Sequence, residues 1–137
     1  DAAIKNMIAV GQSPKKSKVV ILGLTFKENC PDTRNSKVDD IIKRLNEFEI
    51  YPVIVDPWAN ECDAMHEYGV TLTKLENIKG ADCIIVAVAH NEFKALKLDD
   101  IKKLYRECAD KEKVLLDVKG IYKVEELNKS GIKYWRL

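Results

Sequence analysis

Two cations in one polar segment are the residues of this sequence best suited to chemistry on an anion. Lys27 and Arg34 lie seven positions apart in a charged segment that follows the apolar run 19–22. Lysine offers a point charge and arginine a planar fork, and together these suit the oxygens of a diphosphate. Neutral hydrogen-bonding side chains, suited to a sugar or a ribose, stand around them at Asn29, Thr33, Asn35 and Ser36. A sugar nucleotide or a dinucleotide is the ligand class that these residue types favour.

Other interpretations of this segment stay open at the level of residue types. Lys27 and Arg34 can pair with Glu28 and Asp32, and such surface ion pairs stabilise a fold by only about 0–1 kcal/mol. Cys30 lies between the two cations, surroundings that can activate a cysteine nucleophile. No histidine stands near it in sequence to act as its base, so a structural role for this cysteine is favoured.

Asp56 and His90 are further candidates, because each follows an apolar run. An acid at the end of a strand binds a ribose hydroxyl in dinucleotide-binding units. Asp56 also precedes Pro57 and suits a turn cap, which is the favoured interpretation. His90 can contact a ligand or carry a proton, although a single histidine in a loop more often caps polar groups.

The elements that position these residues alternate between strand and helix. Apolar runs predict strands at 19–22, 51–55, 81–88, 114–118 and 132–137, with the third in the centre of the sheet. Helical spacing predicts helices at 37–49, with Ser36 as N-cap, and at 61–68, 98–109 and 122–129. This order predicts an α/β fold: a three-layer, doubly wound, mostly parallel sheet that is Rossmann-like without a GxGxxG loop. Ligands of such sheets bind at the carboxyl ends of the strands, where the segment with Lys27 lies.

Length, charge and cysteine spacing exclude several classes of protein. A chain of 137 residues fits one domain, and 23 Lys+Arg against 22 Asp+Glu favour neither nucleic acid nor an anionic membrane as partner. No apolar run approaches the roughly 20 residues of a membrane span, and the N-terminus lacks a signal peptide core, so a cytoplasmic location is expected. The four cysteines form no CxxC pair, which argues against a zinc knuckle or a thioredoxin-type motif, and no metal site is expected. Cys83 and Cys108 are expected in the core.

Residues 23–38, GLTFKENCPDTRNSKV, resemble the GxxFKxxxxDxRxS signature that opens the C-terminal domain of the UDP-glucose/GDP-mannose dehydrogenase family. Further segments fall in the family's order: Asp56-Pro57, Tyr68-Gly69-Val70, ADCIIVAVAH and VLLDVKG. The residues of this signature look most like those of the UDP-N-acetyl-glucosamine/galactosamine 6-dehydrogenases of bacterial polysaccharide and capsule synthesis. The resemblance covers nearly the whole chain.

This resemblance implies an NAD-dependent, four-electron oxidation of the sugar C6 alcohol to a carboxylate through a catalytic cysteine. The NAD-binding domain and that cysteine have no counterpart in this chain, so no catalytic residue is expected here and the chain alone should be inactive. Residues 1–17 are interpreted as the end of a central helix, with Met7 and Ile8 on its apolar face, and a linker, and residues 18–137 as the UDP-sugar-binding domain. Expected partners are the UDP-sugar, the missing domains and a second copy in a homodimer or larger assembly. The alternative is a non-catalytic interaction or dimerisation module.

The resemblance also assigns roles by position. Phe26 and Lys27 match residues that contact the nucleotide-sugar, and Arg34 matches an arginine that reaches the NAD. Lys119 falls where relatives usually have an arginine that contacts the nucleotide-sugar, and a lysine cannot supply the bidentate grip of a guanidinium. Cys30 does not match the nucleophile of the family.

Overall fold

Five parallel strands form the centre of the computed structural model, which describes residues 2–9, 11 and 16–136. The strands are β1 (Val19–Leu22), β2 (Val53–Val55), β3 (Cys83–Val86), β4 (Val114–Asp117) and β5 (Lys133–Arg136). The helices are α1 (Ala2–Ala9), α2 (Val38–Glu47), α3 (Glu61–Tyr68), α4 (Asn91–Lys94), α5 (Leu98–Lys102) and α6 (Val124–Ser130). Short 3-10 turns lie at Leu75–Asn77 and Asp110–Glu112.

The strand order in the sheet is β2-β1-β3-β4-β5, and all four neighbouring pairs are parallel. The chain therefore moves outward from β1 to β2, and then returns to the other side of β1 to build β3, β4 and β5. The direction of winding reverses between β1 and β3, and a sheet of this kind opens a crevice for ligands at that point. The predicted doubly wound fold, with β3 in the centre, is confirmed.

Helices cover both faces of the sheet, and this explains why the strands are apolar without alternation. On one face Val19 and Ile21 belong to a buried cluster with side chains from the first three helices: Met7, Val38, Ile42, Leu45 and Ala64. On the other face Val20 and Leu22 belong to a cluster with side chains from the last three helices: Phe93, Ile101 and Leu127. The predicted three layers are thus confirmed.

The predicted helix 98–109 is wrong beyond Lys102, where α5 ends. Ala81 N donates to Leu104 O at 3.1 Å, and Arg106 N donates to Ala81 O at 2.9 Å. The Tyr105 hydroxyl donates to Val114 O at 2.5 Å. These tertiary bonds hold the backbone in an extended path beside β3, so it cannot continue the helix. Cys108 consequently lies half-buried outside the core, contrary to expectation, whereas Cys83 is fully buried as predicted.

The start of α2 differs from the prediction by one residue. The helix begins at Val38, with Lys37 in the N-cap position. The Ser36 hydroxyl still accepts from Val38 N at 3.2 Å, so it satisfies one free N–H of the first turn as expected.

The sequence predicts an N-terminal helix with Met7 and Ile8 on its apolar face, and α1 forms there. Met7 is fully buried, whereas Ile8 is 59% exposed. Gly11 N donates to Ile8 O at 3.0 Å, directly after the helix. Residues 12–15 of the predicted linker lie outside the described residues, and the division at residue 17 stays a prediction. Within the described ranges no helix has the length and apolar character needed to cross a bilayer.

Candidate functional site

The four predicted ligand contacts all lie at the carboxyl edge of the sheet. Phe26, Lys27 and Arg34 stand in the loop that follows β1, and Lys119 stands in the turn that follows β4. All four residues are exposed to solvent, and Phe26 is 52% exposed. Only β3 separates β1 from β4, so two strand spacings of about 4.8 Å each set the distance between the two loops. The sheet therefore places both loops at the same carboxyl edge, on either side of the crevice between β1 and β3.

Arg34 forms the surface ion pair with Asp32 that the sequence analysis gave as one alternative. Its Nε and Nη2 donate to the two oxygens of Asp32 at 3.0 and 3.1 Å, and its backbone N donates to Asp32 Oδ1 at 2.9 Å. These hydrogen bonds hold the pKa of Asp32 below its usual value and raise the pKa of Arg34. The guanidinium is still 78% exposed, so it remains accessible to a second anion.

Lys27 does not form the corresponding pair. Glu28, its expected partner, lies 3.4 Å from Lys94 Nζ instead. In the part of the chain that the structure describes, neither Lys27 nor Lys119 has an ion-pair partner. Two uncompensated ammonium groups therefore face solvent at the edge where such a sheet binds ligands.

Asp56 is buried beneath this loop and accepts four backbone N–H groups. Its Oδ2 accepts from Leu24 N at 2.6 Å and from Thr25 N at 2.9 Å. Its Oδ1 accepts from Trp58 N at 2.8 Å and from Ala59 N at 3.1 Å. Asp56 is only 5% exposed, so its carboxylate oxygens are not accessible to a ribose. The structure supports the turn-cap interpretation and adds a tie from β2 to the loop after β1.

His90 completes this buried network from the N-cap position of α4, in the segment that follows β3. Its Nδ1 accepts from Asn29 N at 2.9 Å, so this nitrogen carries no proton and Nε2 carries one. Nε2 lies 3.0 Å from Asp56 Oδ2 and 3.0 Å from Thr25 Oγ1. The ring is fully buried. His90 is thus a structural link among three loops, and a direct ligand contact is excluded in this conformation.

The carboxylate of Asp56 makes the stability of the fold depend on pH in the acidic range. Burial raises the pKa of Asp56, but hydrogen bonds from His90, Leu24 and Thr25 lower it, and the net shift is downward from 3.8. A group whose pKa is lower in the folded state than in the unfolded state stabilises the fold at pH values above its unfolded pKa. This contribution is lost as the pH falls through the folded pKa.

We therefore expect the free energy of unfolding to fall as the pH drops below about 3.9, and the variant Asp56→Asn to lack this contribution. Urea unfolding of both proteins between about pH 5 and pH 2.5 measures the effect. The stability difference between wild type and variant should shrink as the pH falls. Parallel curves would show that Asp56 has an ordinary pKa in the folded chain.

Cys30 is half-buried and forms no disulfide. His90 is the histidine that the fold brings to this loop, but Asn29 occupies its Nδ1, and Asp56 and Thr25 occupy its Nε2. A thiol enzyme needs a base with a free nitrogen, so the network leaves Cys30 without one. Among the described residues no group of three His, Cys, Asp or Glu side chains could hold a metal ion.

Tyr68 is a site residue that sequence reasoning missed. Its hydroxyl donates to Thr33 O and accepts from Ser36 N at 3.1 Å, which fixes the second half of the loop after β1. The tyrosine lies at the end of α3, more than thirty residues further along the chain. No local pattern signals such a contact.

The turn after β1 does not fit the pyrophosphate of NAD in the way of a Rossmann loop. Such a loop uses glycine so that the backbone can approach the phosphates. Here a Cβ on Gly23 would lie 2.5 Å from Val88 Cβ and 2.8 Å from Val88 N, so the space beside this glycine is filled by the segment that follows β3. The chain therefore offers exposed side chains to a nucleotide in place of a backbone cradle.

Comparisons with known proteins agree with this geometry. Residues 20–124 match the model of the UDP-glucose/GDP-mannose dehydrogenase family, UDP binding domain. The UDP-N-acetyl-D-glucosamine 6-dehydrogenase of Pseudomonas aeruginosa is 48% identical over 103 residues, which are 75% of this chain and 24% of that enzyme. Protein CapL of Staphylococcus aureus is 37% identical over 134 residues, which are 98% of this chain and 30% of that protein.

A solved structure shows the same fold. The NDP-N-acetyl-D-galactosaminuronic acid dehydrogenase from Methanosarcina mazei Go1 superposes with a TM-score of 0.82 at 23% identity, over 97% of this chain and 27% of that one. The chain thus spans between about a quarter and a third of the length of these relatives. The family model covers most of the chain, including the loop with Lys27 and Arg34 and the turn with Lys119. The chain belongs to the UDP-glucose/GDP-mannose dehydrogenase family, through the UDP binding domain of that family.

Proposed function

We propose that this chain is the nucleotide-sugar-binding part of an NAD-dependent UDP-sugar 6-dehydrogenase. The relatives of highest identity given above and the signature in residues 23–38 favour a UDP-N-acetylhexosamine as substrate, oxidised at C6 to a carboxylate for a surface polysaccharide. The observation that carries the proposal is Lys27, which is exposed and unpaired in the loop that matches the UDP binding domain.

In this proposal each site residue has a role that follows from its chemistry. Lys27 and Lys119 bind the diphosphate as two point charges from two loops. Phe26 presents an exposed ring on which a uracil base or the face of the sugar can pack. Arg34 keeps its bond to Asp32 and offers its outer N–H groups to the NAD, which another domain would bind. When bound, the NAD accepts hydride from the sugar alcohol.

The rest of the reaction belongs to parts of a longer protein. We propose that the NAD-binding domain, the catalytic cysteine and the contacts of a homodimer or larger assembly lie there, so that this chain binds UDP without turning over a UDP-sugar. The cytoplasmic location expected from the sequence stays a prediction.

Calorimetric titration of the chain with UDP tests the proposal. Lys27→Ala should weaken the affinity about tenfold, because a charge-assisted bond to phosphate contributes on the order of 1.4 kcal/mol. Lys43→Ala is the matched control, since it removes the same charge from an exposed position on α2 and should leave the affinity unchanged. The proposal fails if wild type does not bind UDP at millimolar concentration, or if the two variants bind alike.

A second candidate function is an interaction module without a ligand. A groove of about 290 Å³ lies between α1, α2 and the sheet, with Phe48 and Trp135 among its lining residues. These side chains are 38% and 36% exposed, and exposed aromatic rings are frequent at protein interfaces. This candidate predicts a concentration-dependent dimer in sedimentation with no effect of UDP. A monomer that binds UDP would rule it out.

A further inference from the structure

We propose that His90 is a positioning residue that latches the first half of the loop after β1, residues 24–29, through a hydrogen bond from Asn29 N to His90 Nδ1. The latch fixes the backbone at Lys27 before a ligand arrives. The role of the latch in nucleotide binding rests on the function proposed above. The hydrogen bond itself forms within this chain and requires no ligand.

One end of the latch is anchored in the protein interior. His90 Nε2 lies 3.0 Å from Asp56 Oδ2, and Asp56 in turn accepts the N–H groups of Leu24 and Thr25. Both side chains of the pair are fully buried. The imidazole is therefore held by a carboxylate that is itself bonded to the start of the loop.

Two aromatic rings hold the imidazole in its orientation. Trp58 stacks on His90 with ring centroids 6.1 Å apart, and Phe93 packs against it at 5.5 Å. Trp58 is fixed in turn, since its Nε1 donates to Glu92 Oε1 at 2.9 Å. Rotation of the imidazole by half a turn would place carbon atoms where Nδ1 and Nε2 now bond. The two rings fix the plane of the imidazole, and the loss of these hydrogen bonds disfavours the rotation, so Nδ1 stays directed at the loop.

The other end of the latch is Asn29, whose backbone is in the left-handed region with φ of 53°. Asparagine adopts this conformation more readily than other residues with a Cβ, because its short polar side chain can form local hydrogen bonds. Two hydrogen bonds hold Asn29 in it: its N–H donates to His90, and its Oδ1 accepts from Asn91 N at 2.9 Å. The segment after β3 therefore forms hydrogen bonds with both the backbone and the side chain of Asn29.

Lys27 lies midway between the two anchored residues of the loop. Thr25 is fixed by Asp56 and His90, and its hydroxyl also donates to the carbonyl of Lys27 at 3.2 Å. Asn29 is fixed two residues later. The backbone at Lys27 can move only if one of these anchors opens, whereas its side chain is free. A cation mounted on a fixed backbone loses less entropy when it binds an anion.

Two substitutions of His90 separate the latch from a general structural role. The side-chain amide of Asn stands as many bonds from Cα as Nδ1 does, and that of Gln stands as many as Nε2. His90→Asn therefore keeps an acceptor for Asn29 N and gives up the donor to Asp56. His90→Gln keeps the donor to Asp56 and gives up the acceptor for Asn29 N. A role confined to the core would affect both variants alike or His90→Asn more.

Amide hydrogen exchange by NMR gives the direct result, without ligand. In wild type the Asn29 amide should exchange at least about tenfold more slowly than the Glu28 amide, for which the described residues provide no acceptor. His90→Gln should remove this protection, and His90→Asn should keep most of it. The proposal is overturned if Asn29 is unprotected in wild type, a result that needs no variant, or if both folded variants retain the protection equally.

UDP titration of the same proteins separates this proposal from the proposed function. We expect the affinity of His90→Gln to fall about threefold to tenfold and that of His90→Asn to stay within about twofold of wild type. If wild type does not bind UDP but the exchange results hold, the proposed function fails and the latch stands. If UDP binds equally to all three proteins, the role of the latch in binding is overturned.

Discussion

Replacing Asp56 by alanine should lower the free energy of unfolding by about 3–5 kcal/mol, as for removal of one partner from a buried charged pair. The carboxylate accepts four backbone N–H groups and faces the Nε2 proton of His90, all at a site closed to solvent. Alanine leaves these donors without acceptors, and each buried unsatisfied group costs about 1–3 kcal/mol unless water enters. Urea denaturation followed by tryptophan fluorescence measures the loss, because Trp58 stacks on His90.

The control for this substitution is Glu107→Ala, which removes an acidic side chain from an exposed position. Its effect should stay within about 0.5 kcal/mol, as for surface substitutions generally. A loss below about 1 kcal/mol for Asp56→Ala would mean that solvent or other acceptors satisfy the donors, and that the network does not hold the loop.

The sheet could be predicted from the sequence because its strands are buried on both faces. The continuous apolar runs at 19–22 and 83–86 have no amphipathic alternation, which is the signature of strands in a covered parallel sheet. Helix α3 was also predicted with its observed ends. Glycine is the usual residue directly after a helix, and Gly69 adopts φ of 66° there. These elements follow from local pattern alone.

Other element ends depend on contacts that a local pattern does not contain. Leu104, Tyr105 and Cys108 continue the helical spacing of α5, but the backbone there pairs with Ala81 and the Tyr105 hydroxyl reaches Val114. The strand β2 begins at Val53 because Pro52 has no N–H to give to a neighbouring strand. In each case the partner is set by the tertiary fold.

The site divides in the same way. The position of Lys27 and Arg34 at the carboxyl edge follows from one strand and the loop after it, so the sequence predicted it. The bond between Asp56 and His90 joins residues 34 positions apart, in the segments that follow the two strands flanking β1. It exists because the winding reverses at β1, and neither periodicity nor residue type encodes which strands become neighbours. For this reason His90 could be proposed only as a cap or a ligand contact from its sequence.

Gly23→Ala should destabilise the chain by about 2–6 kcal/mol, from two costs of about 1–3 kcal/mol each: a strained backbone and an overpacked contact. The residue has φ of 110°, and its new Cβ would lie 2.5 Å from Val88 Cβ and 2.8 Å from Val88 N. Val88 cannot retreat easily, since its own N donates to Leu22 O at 3.3 Å. The substitution therefore forces β1 and β3 apart at the point where the ligand crevice opens. Thermal or urea unfolding measures the cost.

Gly69→Ala separates the two costs, because Gly69 also has positive φ, at 66°, but no atom lies within 4 Å of the position of its Cβ. It should lose only about 1–2 kcal/mol, the cost of the left-handed backbone. The double variant Gly23→Ala/Val88→Ala removes Cγ2 but keeps the Cβ and N contacts of Val88, so most of the loss at Gly23 should persist in it. Equal losses for Gly23→Ala and Gly69→Ala would show that β1 and β3 separate without cost, and that the loop with Lys27 does not rest on a tightly packed crevice.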